Sequence, residues 1–128
     1  MKDFVRWHNE KRHIERDRPR VFFKEREVWF CCLGENVGSE QDGSGEEFLR
    51  PVVALKKFNN EIFWAIPLTK RPKKGPYYFA FMFGKKKKSV AILSQFRLVD
   101  AKRLKYKIGV IKMADFETLK IKIRQLLA

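Results

Sequence analysis

A chain of 128 residues, 45% hydrophobic and 34% charged, has room for one compact domain, which excludes a multidomain enzyme. Its 29 Lys and Arg against 15 Asp and Glu leave a formal charge of +14, which points to a polyanionic partner, with nucleic acid first. Twelve Phe, three Trp and three Tyr exclude a disordered basic tail, and no apolar run approaches the ~20 residues of a membrane span, so a folded cytoplasmic protein with no membrane partner is expected.

Phe4, Trp7 and Ile14 fall near one helical face among charged neighbours, which predicts an amphipathic helix over residues 1–15. Arg18-Pro19 breaks that pattern, because the residue before a proline is pushed out of the helical region. Residues 1–20 therefore read as a helical extension with its linker, and 21–128 as the domain proper.

From Val28 the texture is β. Runs rich in β-branched and aromatic residues predict five strands: Val28–Leu33, Val52–Leu55, Ile62–Ile66, Tyr77–Phe83 and Val90–Leu93. Asn59-Asn60 marks a hairpin between the second and third, where asparagine tolerates positive φ, and Gly84 with Lys85–Lys88 marks another tip. Tyr106, Ile108 and Val110 alternate as a possible sixth strand, and Phe116, Leu119, Ile123 and Leu126 then recur at helical spacing. The fold class expected is mainly β, a small barrel with a C-terminal helix. Between Gly34 and Arg50 the composition turns to Gly, Ser, Asp and Glu, the mark of a surface loop.

Cys31 and Cys32 are adjacent in a strand, so their side chains point to opposite faces and reduced thiols are expected. Together with His8 and His13 they match no zinc-ligand spacing, and no cofactor or metal is predicted. The two histidines lie outside the β-rich body, where imidazoles on a charged helix are usually solvated rather than an acid/base pair. No glycine-rich loop ending in Lys-Ser or Lys-Thr is present to cradle a nucleotide.

Charge is segregated along the chain. Ile62 to Val99 contains no acidic residue, yet it holds Lys70, Arg71, Lys73, Lys74, Lys85, Lys86, Lys87, Lys88 and Arg97, a pattern suited to following a phosphate backbone. Tyr77, Phe79, Phe81 and Phe83 form an aromatic row. The phenylalanines read as the core face of their strand, leaving Tyr77 or Tyr78 as the candidate for stacking on a base. Arg50 and Thr69 fall at strand ends that could face each other and approach one phosphate. Arginine donates two hydrogen bonds to its oxygens, and threonine can bond a further oxygen. Any basic protein offers such a pair near loops, so the two residue types alone do not specify a site.

Four ordered motifs are more specific. Arg26-Glu27-Val28-Trp29, Gly38-Ser39-Glu40-Gln41 with Arg50-Pro51-Val52-Val53, Ala65-Ile66-Pro67-Leu68-Thr69, and Ser89–Leu104 followed by Lys107-Ile108-Gly109 resemble the MazF/PemK family of toxins from type II toxin–antitoxin systems. The likeness runs from about Arg26 to the C-terminus. It implies an SH3-like barrel with a C-terminal helix, usually a homodimer, and metal-independent cleavage of single-stranded RNA at short sequences. The products implied are a 2′,3′-cyclic phosphate and a 5′-hydroxyl end. Arg50 matches the family's catalytic arginine and Thr69 its transition-state Ser/Thr. Gln41, Lys70, Arg71, Lys73, Lys74, Tyr77, Gln95 and Arg97 are the residues expected to contact RNA. Because arginine keeps its proton at a pKa above about 12, Arg50 suits an electrostatic clamp better than a general base. The partner implied is a cognate antitoxin with an acidic segment, and operator DNA is a further ligand open to the toxin–antitoxin complex.

The sequence departs from the family pattern in the longer, more acidic link Asp42–Leu49 and in the N-terminal extension. The link motivates an alternative, a non-catalytic RNA-binding module. A gyrase-type inhibitor on the same fold is a third reading, against which the matched Arg50 and Thr69 count.

Overall fold

The computed structural model describes residues 21–33, 49–85 and 87–128. The helix expected over residues 1–15 and the acidic surface loop lie outside the described residues. Seven strands are present: β1 (Glu27–Cys32), β2 (Leu49–Lys57), β3 (Ile62–Thr69), β4 (Tyr78–Phe83), β5 (Lys87–Ile92), β6 (Arg97–Asp100) and β7 (Leu104–Val110), followed by helix α1 (Met113–Leu127). They form one sheet in the order β4-β5-β3-β2-β1-β7, with β6 paired to β3. All pairings are antiparallel. The mainly β architecture with a C-terminal helix is therefore as expected.

The eight residues of β3 hold the sheet together. Its first part pairs with β2 on one side and β6 on the other, and its last two residues, Leu68 and Thr69, pair with Ala91 and Val90 of β5. Alternation along β3 then feeds two cores. Ile66 and Leu68 join Val28, Phe81, Phe83 and Ala91 beneath α1, which buries Phe116, Leu119 and Ile123 there. Phe63 and Ala65 instead join Phe23, Trp29, Cys31, Val52 and Leu104 in the second core.

Two backbone positions lock these layers. Arg26 adopts φ 80°, a left-handed conformation costly for a side chain with a Cβ. Its N–H donates to the Ala54 carbonyl at 2.9 Å, its carbonyl accepts from the Ile111 N–H at 3.0 Å, and its Nε donates to the Ile111 carbonyl at 3.2 Å. One strained residue thus ties the start of β1 to β2 and to the approach of α1. Gly109 faces the Phe83 ring so closely that an added Cβ would lie 2.6 Å from Cδ2, so only glycine fits without repacking.

Several expectations change in detail. The sixth strand predicted around Tyr106–Val110 exists as the longer β7, but β6 is an additional strand. Its ends are made by two short 3₁₀ turns, Leu93–Gln95 and Ala101–Arg103, rather than by Gly or Pro, which is why the sequence pattern does not mark it. The Asp100 carboxylate caps the second turn by accepting from the Lys102 N–H at 2.8 Å. Tyr77 precedes β4 rather than opening it, and Leu93 lies in a 3₁₀ turn. Asn59 shapes the β2–β3 hairpin without positive φ: its Oδ1 accepts from the N–H groups of Glu61 and Ile62 at 2.7 and 3.0 Å. Gly84, at φ 62°, does use the left-handed region at its hairpin tip. The phenylalanines of β4 are core, with Phe79–Phe81 stacked at 5.8 Å and Phe81–Phe83 at 6.0 Å. Among the described residues no helix is long and apolar enough to cross a membrane.

Candidate nucleic-acid interface

The β2–β3 ladder ends at the pair Val52↔Pro67, where proline has no N–H to donate. Carrying that register two residues further sets Arg50 level with Thr69. Period-two alternation puts both on the sheet face shared by Val52 and Pro67. Arg50 and Thr69 are each half-buried, a position in which a charge or hydroxyl is partly shielded yet reachable. Arg50 is also paired across β1 to Cys31. The Thr69 Oγ1 accepts from the Arg71 N–H at 3.2 Å, which leaves the hydroxyl proton for another acceptor.

Lys70 and Arg71 follow Thr69 directly and are exposed, as are Lys73, Lys74 and Tyr77 on the β3–β4 connection. That connection is held at its far end, where the Tyr77 carbonyl accepts from the Leu93 N–H at 2.8 Å. Lys73 Nζ lies 6.0 Å from the centroid of the half-buried Tyr78 ring. Arg97 on β6 opposes Ala65, so it shares the face of Thr69 but stands four residues further back along β3, about 13 Å. Gln95 is exposed in the 3₁₀ turn that leads into β6. Gln41 lies outside the described residues. Arg50, Thr69 and Arg97 are thus brought onto one face from three strands, with Lys70, Arg71, Lys73, Lys74 and Tyr77 along its edge.

Arg103 was not singled out by its sequence context, yet it is half-buried near Arg97, and its Nη1 donates to the Cys32 carbonyl at 3.2 Å. Burial draws the pKa of its guanidinium down and the Arg97 charge adds to this, while the neighbouring Cys32, Cys31 and Asp100 oppose it. A contact spanning 71 residues leaves no local signal in the chain. Burial, reinforced by Cys32, pushes the Cys31 thiol up to about 12 against the opposing charges of Arg103 and Arg97. A thiol so far from ionising is a packing group and not a nucleophile, in keeping with its place in the second core. Both cysteines are free.

Residues 24–127 match the family model of the PemK-like, MazF-like toxin of type II toxin–antitoxin systems. No curated protein matches the chain in sequence. Among solved structures, MazF from Deinococcus radiodurans superposes with a TM-score of 0.65 at 19% identity, covering 84% of this chain and 97% of that one. The Mycobacterium tuberculosis toxin MazF-mt6 gives 0.61 at 15% identity over 80% and 96% of the two chains. An endoribonuclease from a mycobacterial species, solved in complex with its cognate antitoxin, gives 0.59 at 13% identity over 80% and 92%. At these identities the structural likeness is one of fold.

Proposed function

Since this chain belongs to the PemK-like, MazF-like toxins of type II toxin–antitoxin systems, we propose that it is an endoribonuclease that cuts single-stranded RNA without a metal ion. The observation that carries this reading is the Val52↔Pro67 register, beyond which Arg50 and Thr69 follow on the same face by alternation, beside a stretch from Ile62 to Val99 with no acidic residue. A phosphodiester laid across the end of β2 and β3 meets a guanidinium on one side and a hydroxyl on the other. Arg50 grips the non-bridging oxygens through two parallel hydrogen bonds, and the Thr69 hydroxyl donates to the charge that grows on phosphorus-bound oxygen. The ribose 2′-oxygen forms a bond to phosphorus as its proton leaves. The bond to the 5′-oxygen breaks, and that oxygen takes up a proton. The products are a 2′,3′-cyclic phosphate and a 5′-hydroxyl.

In this reading Lys70, Arg71, Lys73, Lys74 and Arg97, all exposed, hold the flanking phosphates, and the exposed Tyr77 and Gln95 contact bases. The same cationic face suits an acidic antitoxin segment, and the antitoxin complex of the mycobacterial neighbour supports such a partner here. A homodimer follows from the same family reading.

Mapping the ends made when the purified protein meets a long unstructured RNA in EDTA tests the proposal. Cuts at a recurring short sequence with 5′-hydroxyl ends are expected, and they disappear in Arg50→Ala and Thr69→Ala. Intact RNA that is still bound would overturn the catalytic reading in favour of a binding module, and normal cutting by both variants would overturn the site.

A further inference from the structure

Trp64 sits near the start of β3, at the end of that strand away from Thr69. It is opposed by Lys56 on β2 and by Leu98 on β6, and directly opposed residues of an antiparallel pair point to one side of a sheet. That row spans about 10 Å at the usual strand spacing. Phe58 meets the Trp64 ring edge-on at 5.0 Å, and Phe96 does so at 5.3 Å. Phe58, Trp64 and Leu98 are exposed by 44%, 37% and 55%, and Phe96 is half-buried. Apolar surface scattered singly needs no explanation, but a contiguous patch of three rings and a leucine marks a place where something docks.

The chain enters the fold at the same corner. The exposed Phe22 ring lies 4.6 Å from the Nζ of Lys57, the residue before Phe58, and a shallow recess lined by Lys24, Glu25, Lys57, Phe58 and Asn59 joins that entry to Phe58. Acidic side chains gather here as well: Glu25 in the recess, Glu61 in the β2–β3 turn, and Asp100 opposite Ile62. Residues 1–20 carry the complementary chemistry. Phe4, Trp7 and Ile14 recur at offsets of three and seven, and Arg16, Arg18 and Arg20 lie between them and the domain. This segment precedes the stretch that matches the family model, which begins at residue 24.

We propose that the N-terminal extension docks on the Phe58–Trp64–Leu98 patch of its own domain, with Phe4, Trp7 and Ile14 against the patch and the arginines of the linker beside Glu25 and Glu61. The mode is that of an amphipathic helix laid on an apolar surface. Lengths agree: Trp7 and Ile14 stand about 10 Å apart along a helix, the width of the row centred on Trp64, and the residues from Glu15 to Val21 reach about 20 Å when extended. The tether decides the occupant. A segment held on so short a linker is present at about millimolar effective concentration, which a second copy of the chain at micromolar concentration does not match. The docking is independent of the RNA-cleavage reading.

Hydrogen exchange of the full chain, read peptide by peptide, tests this together with the size in solution at two protein concentrations. Amides of residues 1–15 are expected to be protected in the wild type. Combining Trp64→Thr with Leu98→Thr should abolish that protection while β1 and β7 keep theirs, because threonine retains the strand preference of both positions. The reciprocal pair, Phe4→Ser with Trp7→Ser, leaves residues 21–128 unaltered and should raise hydroxyl-radical labelling of Phe58 and Trp64. Unprotected amides over residues 1–15 in the wild type would overturn the proposal, as would protection that survives both substitutions in the domain. Unchanged labelling in the reciprocal pair would overturn it even where the domain pair failed to fold. So would protection that appears only as concentration and size rise together, since a second copy would then cover the patch.

Discussion

The two ends of β2 each carry a cation, Arg50 near the start and Lys57 at the close, and they are treated in opposite ways. Lys57 is held by the protein. Its N–H donates to Glu25 Oε2 at 2.8 Å, its Nζ donates to the Phe23 carbonyl at 2.6 Å, and the ammonium lies 4.6 and 4.5 Å from the Phe22 and Phe23 ring centroids. Arg50 is half-buried, and among the described residues its guanidinium has no hydrogen-bond or ion-pair partner. A cation that the fold surrounds with acceptors holds the fold together, whereas one left facing an open strand end is available to an anion from outside. Sequence composition cannot separate the two, since both are basic residues at strand termini.

The largest effect expected from this contrast is on catalysis. Arg50→Ala should lower the cleavage rate by about 10²–10³-fold, as loss of a transition-state donor does, with the thermal midpoint unchanged. A comparable fall in midpoint would show that Arg50 is structural after all. Lys57→Ala should do the reverse, losing about 1–2 kcal/mol in urea unfolding through its carbonyl bond and ring contacts while cleavage continues. Equal stability of variant and wild type would remove the distinction.

A smaller, pH-dependent effect sharpens it. Glu27 is a buried carboxylate at the start of β1, and its Oε1 accepts from Trp29 Nε1 and from the Lys24 N–H, both at 2.9 Å, while Lys107 Nζ lies 3.2 Å from Oε2. Burial pushes its pKa up, but the Trp29 and Lys24 hydrogen bonds together with Lys107 outweigh this and hold it below the ordinary carboxylate value. A depressed pKa means that the stabilisation is complete above the unfolded-state pKa and is lost as pH falls through the folded one. Thermal midpoints followed from pH 7 downwards should fall below about pH 4.3, with part of that fall missing in Glu27→Gln. Parallel curves for the two proteins would show that Glu27 contributes nothing to acid sensitivity. The smallest effect is chemical. With its thiol pushed up to about 12, Cys31 should resist alkylation in the folded protein, and peptide mapping should find the label on Cys32 first. Rapid labelling of Cys31 would mean that β1 opens easily.

Much of this molecule was legible in its residues because its signals are local. The strand of Val52–Leu55 is a continuous apolar run because both its faces are covered, and α1 declares itself through Phe116, Leu119 and Ile123. β6 escaped because its four residues are bounded by 3₁₀ turns that need no special residue type. The hairpin at Asn59 was placed correctly for a different reason from the one expected, a side-chain oxygen in place of positive φ. The Arg103 contact with Cys32 was invisible, since it depends on which elements lie side by side.

By itself, the sequence determined the class of the fold, the surplus of positive charge and its separation from acidic residues, and the family motifs around Arg50 and Thr69. These are properties of composition and of short periodicity, which a chain carries before it folds. Only the tertiary structure decided that Val52 stands opposite Pro67, that the Thr69 face continues across β5 to β4, and that the Lys57 ammonium is bonded to the Phe23 carbonyl. The physical reason is register. Shifting one strand by one residue would send every side chain to the opposite face with the same sequence, so the partnership of Val52 with Pro67, and the shared face it gives Arg50 and Thr69, exists only once the ladder between β2 and β3 has formed.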